Sequence, residues 1–363
     1  MPDTAILITA GHLGDIHGKS AHGLIRGPSR WEILGVIDPA FAGRDAGEVV
    51  DGRARGIPVF DSLDGAVAAL GRAPDWLVVG VTAQGGRMPA EARELAIAAL
   101  RRGIGVVNGL HQLLDDDPVA AAAAVDGEAT IVDVRRPKRF EELRFWTGEV
   151  LGLAVARVAV LGTDCALGKR TTATFLAGAL RRQGVRTELV TTGQTGWLQG
   201  YRYGFVLDAT PNDFVAGELE RAVLACAREA SPDLILIEGQ SALRNPSGPC
   251  GAELILSSGA RGVVLVHAPG RELFEGLEPT GARIPTLASE VALIAQYGAS
   301  VLGIALNGEG LDDAALARHA ERIEAELAIP VSRPLVDGGE PLVPALSRFA
   351  RAALAGRDGR TVG

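Results

Sequence analysis

The chain has 363 residues, 47% of them apolar, 22% charged and only 4% aromatic, with a formal net charge of −8. That length suffices for two domains with cores of their own, and the apolar content excludes disorder. The acidic balance argues against a nucleic-acid or anionic-membrane surface, and no apolar run reaches the roughly 18 residues of a membrane helix.

From the N-terminus onward, short β-branched runs alternate with Ala/Leu/Glu/Arg stretches of helical period. That alternation is the pattern of a parallel-sheet α/β protein. The opening MPDTAILITAGHLGD lacks the basic region and cleavage site of a signal peptide. Cys165, Cys226 and Cys250 have no CxxC spacing, so a reducing cytoplasm is the expected location. Strands are predicted at 4–10, 32–37, 75–81 and 104–108, and helices at 62–71, 89–102 and over the Ala-rich 119–125. The first strand leads into Gly11–Gly23, which holds His12, His17, His22 and Asp15 without matching G-x-G-x-x-G. The five-residue histidine spacing suits neither one helix face nor one strand face, so no metal is expected. Asp38 closes the second strand, where dinucleotide-binding folds place a ribose-binding acid. Residues 1–135 are expected to form a first α/β domain, 136–150 a polar linker, and 151–363 a second α/β domain.

The second half restarts with a strand at 155–161, followed by GTDCALGKRTT and a helix from about Lys169 to Gln183. Further strands are predicted at 186–192, 233–238, 262–267 and 301–306, with helices at 211–230, 285–297 and 312–327. The strand–loop–helix setting is the one a phosphate loop requires. Its members are Gly162, Thr163, Asp164, Cys165, Ala166, Leu167, Gly168, Lys169, Arg170, Thr171 and Thr172. Glycines let backbone amides face the anion, the helix N-terminus adds partial positive charge, and the lysine reaches phosphate oxygens. Lys169 is one of only three lysines among 36 basic residues, so general abundance does not explain it. The loop departs from the common pattern at Arg170, which stands where a Ser or Thr normally ligates magnesium. It therefore points to phosphate more firmly than to ATP hydrolysis.

The other strand ends supply candidates for catalysis and substrate binding, because ligands of open α/β sheets bind at the C-terminal ends of strands. Glu238 ends one strand, His267 another, and Asp213 opens a helix; each is a candidate base. Thr192, Gly193, Gln194 and Thr195 form a glycine- and hydroxyl-rich loop suited to substrate contacts. Arg244 and Arg271 are candidates for a substrate carboxylate, since a planar guanidinium suits bidentate recognition. Each has a plainer reading as a capping, turn or packing residue.

GTDCALGKRTT, TTGQTGW, PNDF, IEGQSAL and VHAPGR, with GHLGDIHGKSAHGLIR and VNGLHQLL earlier, together resemble a two-domain family long described only as a domain of unknown function. The resemblance implies a Rossmann-like N-terminal domain and a P-loop NTPase-like C-terminal domain with parallel sheets, the latter similar to dethiobiotin synthetase. It also implies D-glutamate N-acetyltransferase activity, the one assigned within the family, with acetyl-CoA as co-substrate. On that expectation the loop holds coenzyme A phosphates and a base frees the amine of D-glutamate or a related D-amino acid. Two rivals stay open: an ATP- and Mg2+-dependent ligase, and a non-enzymatic nucleotide or coenzyme A sensor. A small-molecule substrate is expected, a nucleic acid or membrane partner is not, and the sequence leaves open whether the chain forms a homo-oligomer.

Overall fold

The computed structural model describes residues 2–82 and 84–358, so the last five residues of the expected second domain lie outside the described residues. By internal contacts the chain divides into one unit of Met1–Lys138 with Gln194–Gly200, and another of Arg139–Gly193 with Tyr201–Gly363.

The first unit is built on six parallel strands: β1 (Thr4–Ile8), β2 (Glu32–Ile37), β3 (Val59–Phe60), β4 (Trp76–Val79), β5 (Gly105–Asn108) and β6 (Ile131–Asp133). Their order is β3-β2-β1-β4-β5-β6, the doubly wound arrangement of a Rossmann-like domain. Five helices, α1 (Lys19–Arg26), α2 (Ala46–Asp51), α3 (Leu63–Leu70), α4 (Ala90–Leu100) and α5 (Pro118–Asp126), connect them. All five residues of β1 are buried, as expected of a central strand covered on both faces. Asp38 is buried at the end of β2, where Thr9 Oγ1 donates to it at 2.6 Å and the Leu13 amide at 3.0 Å. Its carboxylate thus ties the β1–α1 connection to β2. His22 contacts the Leu13 carbonyl at 2.7 Å, while His12 pairs with Asp15.

The second unit holds seven parallel strands: β7 (Ala156–Gly162), β8 (Thr187–Thr191), β9 (Tyr203–Gly204), β10 (Leu234–Glu238), β11 (Gly262–His267), β12 (Ser300–Leu306) and β13 (Val331–Ser332). Their order is β13-β12-β11-β7-β10-β8-β9. Helices α6 (Lys169–Arg182), α7 (Gln194–Leu198), α8 (Asn212–Ala230), α9 (Ala252–Leu256), α10 (Leu287–Gln296), α11 (Asp313–Leu327), α12 (Pro334–Asp337) and α13 (Val343–Asp358) follow in chain order, α7 belonging to the first unit. Strand β7 is buried throughout and pairs with β10 on one side and β11 on the other. In that register Glu238 sits opposite Val160, and His267 lies one residue beyond the partner of Gly162. The three strand ends therefore deliver a carboxylate, a glycine-rich loop and an imidazole to one edge of the sheet.

Much of the expected linker folds with the second unit. Phe140 and Phe145 pack on Phe214 with ring centroids 5.7 and 4.5 Å away, and Val150 is fully buried. The segment after β8 goes the other way. Leu198 is buried among Leu13, Ala21, Leu24, Ile25 and Trp31 of the first unit. There Gln199 donates to the Gly23 carbonyl, and the Arg30 guanidinium lies 4.3 Å from the centroid of the Trp197 ring. No helix among the described residues is long and apolar enough to cross a membrane.

Candidate functional site

The loop from Gly162 to Gly168 connects β7 to α6, with Gly168 at φ +86° on the helix N-cap. That left-handed conformation suits glycine and opens the first-turn amides of α6 toward the loop. The Lys169 side chain is buried, and its ammonium donates to the carbonyls of Asp164 at 2.7 Å and Ser241 at 2.8 Å. Glycines on both sides make room for its stem. A Cβ on Gly162 or on Gly239 would come within 3.1 Å of Lys169 Cδ. The Lys169 side chain is thus threaded between the end of β7 and the residue after β10.

Asp164 is fully buried and acts as the hub of the loop. It accepts from Arg271 Nη1 at 2.9 Å, Asn245 Nδ2 at 2.9 Å, the Glu275 amide at 2.8 Å and the Cys165 amide at 2.6 Å. Arg271 also donates to the Cys165 carbonyl at 2.9 Å and pairs with Glu309 and Glu275. Cys165 Sγ lies 3.3 Å from Ser241 Oγ, and Asn307 donates to the Leu167 carbonyl at 3.0 Å. Ala166 takes a positive φ of 53° between these anchors. Several independent contacts therefore fix the loop in one conformation, which is the preorganisation an anion site needs.

Arg170 occupies the position where ordinary phosphate loops hold a metal-binding hydroxyl. Its Nη1 lies 4.0 Å from Glu238 Oε1, and both side chains are largely buried. Burial pushes the Glu238 carboxyl up, against Arg170, the Thr192 amide, Lys169 and the Gly193 amide, which pull it down. Thr192 donates from its amide to Glu238 Oε2 at 3.0 Å and from its hydroxyl to the Glu238 carbonyl at 2.9 Å. Thr171 is half-buried and Thr172 buried on the first turn of α6. Thr163 shares a hydrogen bond with His267 Nδ1 at 3.0 Å. Burial, reinforced by the like charge of His319, pulls the His267 imidazole down to about 4, so it is neutral at physiological pH.

The remaining candidates lie elsewhere. Asp213 is exposed on the first turn of α8. Arg244 pairs with buried Glu290 on α10, Nε to Oε2 at 2.6 Å, and donates to Ser289 Oγ at 2.8 Å. Gln194 and Thr195 fall in the first unit, where Arg135 donates to Gln194 Oε1 and Thr195 Oγ1 lies 3.1 Å from Ser20 Oγ. Thr192 and Gly193 of the expected substrate loop lie beside Glu238 in the second unit. Sequence reading did not single out Asn245, Ser241 or Tyr201. Asn245 and Ser241 secure Asp164 and Lys169, and Tyr201 shares a hydrogen bond with Thr174 of α6 at 2.9 Å. The two residues at 241 and 245 follow directly on a strand end already flagged by Glu238, which was their one available signal.

Two family models match the chain: "Domain of unknown function (DUF1611_N) Rossmann-like domain" over residues 39–137, and "Domain of unknown function (DUF1611_C) P-loop domain" over residues 144–343. The chain is 30% identical over 282 residues to a D-glutamate N-acetyltransferase of Tritonibacter scottomollicae, covering 75% of this chain and 80% of that protein. It is 27% identical over 274 residues to a D-glutamate N-acetyltransferase of a Pseudoalteromonas species, covering 73% and 79%. The crystal structure of a DUF1611 family protein from Anabaena variabilis superimposes with a TM-score of 0.86 at 30% identity, covering 95% of this chain and 99% of that one.

Proposed function

The chain belongs to the DUF1611 family, and from that premise we propose that it transfers the acetyl group of acetyl-CoA to the amine of D-glutamate or a related D-amino acid. The observation that carries this reading is Arg170 beside Glu238. A fixed guanidinium supplies positive charge where an ATP-using loop would recruit magnesium, which suits a phosphate that arrives without a metal. The loop amides, the α6 N-terminus, Lys169 and Arg170 bind coenzyme A phosphates.

The amino-acid nitrogen must lose a proton before it attacks the thioester carbonyl. Glu238 accepts that proton, held in place by the Thr192 and Gly193 amides. The new C–N bond forms, the C–S bond breaks, and coenzyme A leaves as its thiolate, which takes up the second proton that the nitrogen sheds as it becomes an amide. Asp164 and Arg271 position the loop in this reading, since each is already bound by several partners. The same saturation of Asp164 weighs against the ligase alternative, which would put that carboxylate near a metal.

Release of free thiol from acetyl-CoA, assayed across D- and L-amino acids with ATP–magnesium in parallel, tests the proposal. Thiol release that requires D-glutamate is the expected result. Amino-acid-dependent phosphate release from ATP without thiol release would overturn it in favour of the ligase. Lys169→Met should weaken acetyl-CoA binding about tenfold to a hundredfold, the loss of one or two charge-assisted hydrogen bonds, measured by calorimetry.

A further inference from the structure

A cavity of about 900 Å³ opens in the second unit at the N-terminal ends of β7, β8, β10 and β11. Strand β7 runs from Ala156 at this end to Gly162 at the other, so the cavity lies about 20 Å from the phosphate loop at a strand's rise per residue. Its walls are apolar where Leu153, Val155 and the α13 residues Phe349, Ala353 and Leu354 line it.

Arg157, the second residue of β7, lines the cavity while only 8% exposed. Its Nε donates to the Gly259 carbonyl at 3.2 Å, and its Nη1 to the Leu153 and Val155 carbonyls at 3.0 and 2.9 Å. These bonds fix the guanidinium and leave its Nη2 without a hydrogen bond among the described residues. Gly259, at φ +64°, passes close by; a Cβ there would stand 3.1 Å from Nη2. No carboxylate among the described residues pairs with Arg157. Arg261, on the same wall, donates to the Gly298 carbonyl and has no carboxylate partner there either. Arg186, also in the lining, is neutralised by Asp233 at 2.6 Å. Burial and the like charge of Arg261 pull Arg157 down to about 10. A buried cation facing a second cation is costly without a counter-charge, and an anion in the cavity supplies one.

We propose that this cavity is a second binding site, for a small organic anion that presents a carboxylate or phosphate head to Arg157 and Arg261 and an apolar chain to α13. Binding there stabilises the unit that carries the phosphate loop without touching the loop itself.

The test is calorimetric titration of the whole protein with hexanoate, hexyl phosphate and uncharged hexanol. Hexanoate or hexyl phosphate should bind and hexanol should not, and the tighter of the two anions names the head group. Arg261→Ala, on an exposed side chain, should weaken the anion at least about tenfold, the loss of one charge-assisted contact. Arg157→Met should abolish binding if that variant folds, and Lys169→Met should bind the anion like the wild type. No binding by either anion, equal binding of hexanol, or unchanged affinity in Arg261→Ala would each overturn the proposal and leave Arg157 a clamp on three carbonyls.

Discussion

Glu238 and His267 flank one loop, yet burial moves them in opposite senses: the carboxyl upward, the imidazole down to about 4. A base works best when its affinity for protons approaches the working pH, and Glu238 has moved that way. Glu238→Gln preserves the shape of the side chain and removes the proton acceptor. Turnover should fall about 10²–10⁴-fold, with loss of the acid limb of the pH–rate profile and unchanged acetyl-CoA binding. A variant that keeps both the rate and the acid limb would take Glu238 out of the proton path. His267 makes a different prediction, about stability. Between pH 6.5 and 4 the unfolded chain takes up a proton that the folded imidazole refuses. The contribution of His267 is therefore complete above pH 6.5 and is lost as pH falls toward 4, by about 3 kcal/mol. Urea unfolding followed across that window should be flatter for His267→Asn than for the wild type; parallel curves would show that His267 titrates normally.

The strand–loop–helix unit of β7 and α6 works only because the neighbouring strand end carries no side chain at Gly239. A Cβ there would fall 2.3 Å from the Val160 carbonyl oxygen and 3.1 Å from Lys169 Cδ. Gly239→Ala should destabilise the protein by about 1–3 kcal/mol, as overpacking does, and also lower acetyl-CoA affinity by displacing the lysine stem. Unfolding and binding measured on one preparation check both effects; normal affinity would mean the lysine adapts. This unit was also the most legible part of the sequence. The β-branched runs at β7, β10 and β11 and the glycines around Lys169 were local signals, and the departure at Arg170 needed no structure to be noticed. The edge strands β3, β9 and β13 span two residues each, too few for any period to emerge. The partners of the arginines were hidden for another reason. Arg244 meets Glu290 46 residues away and Arg271 meets Asp164 107 residues away, pairings that only the tertiary fold creates. A strand-end arginine looks the same in sequence whether it awaits a substrate or an internal carboxylate.

On the scale of the molecule, the first unit is not a continuous stretch of chain. Residues 194–200 belong to it, and Leu198 is fully buried in its core beside Leu13 and Trp31. The continuous domain boundary expected near residue 135 had no way to include them, because QTGWLQG reads locally as part of a strand-end loop. Leu198→Ala should destabilise the first unit by about 2–5 kcal/mol, the range for a truncated core leucine. Amide exchange in β1, β2 and β4 should quicken accordingly; unchanged protection there would show that the core closes without Leu198. This arrangement also has a consequence for how the protein is made. The ribosome completes Lys138 well before it reaches Leu198, and the missing piece arrives only after roughly 60 further residues, several seconds of translation at common rates. Through that interval the nascent first unit waits with an open seam over Leu13 and Trp31, so its final closure belongs to the later half of synthesis.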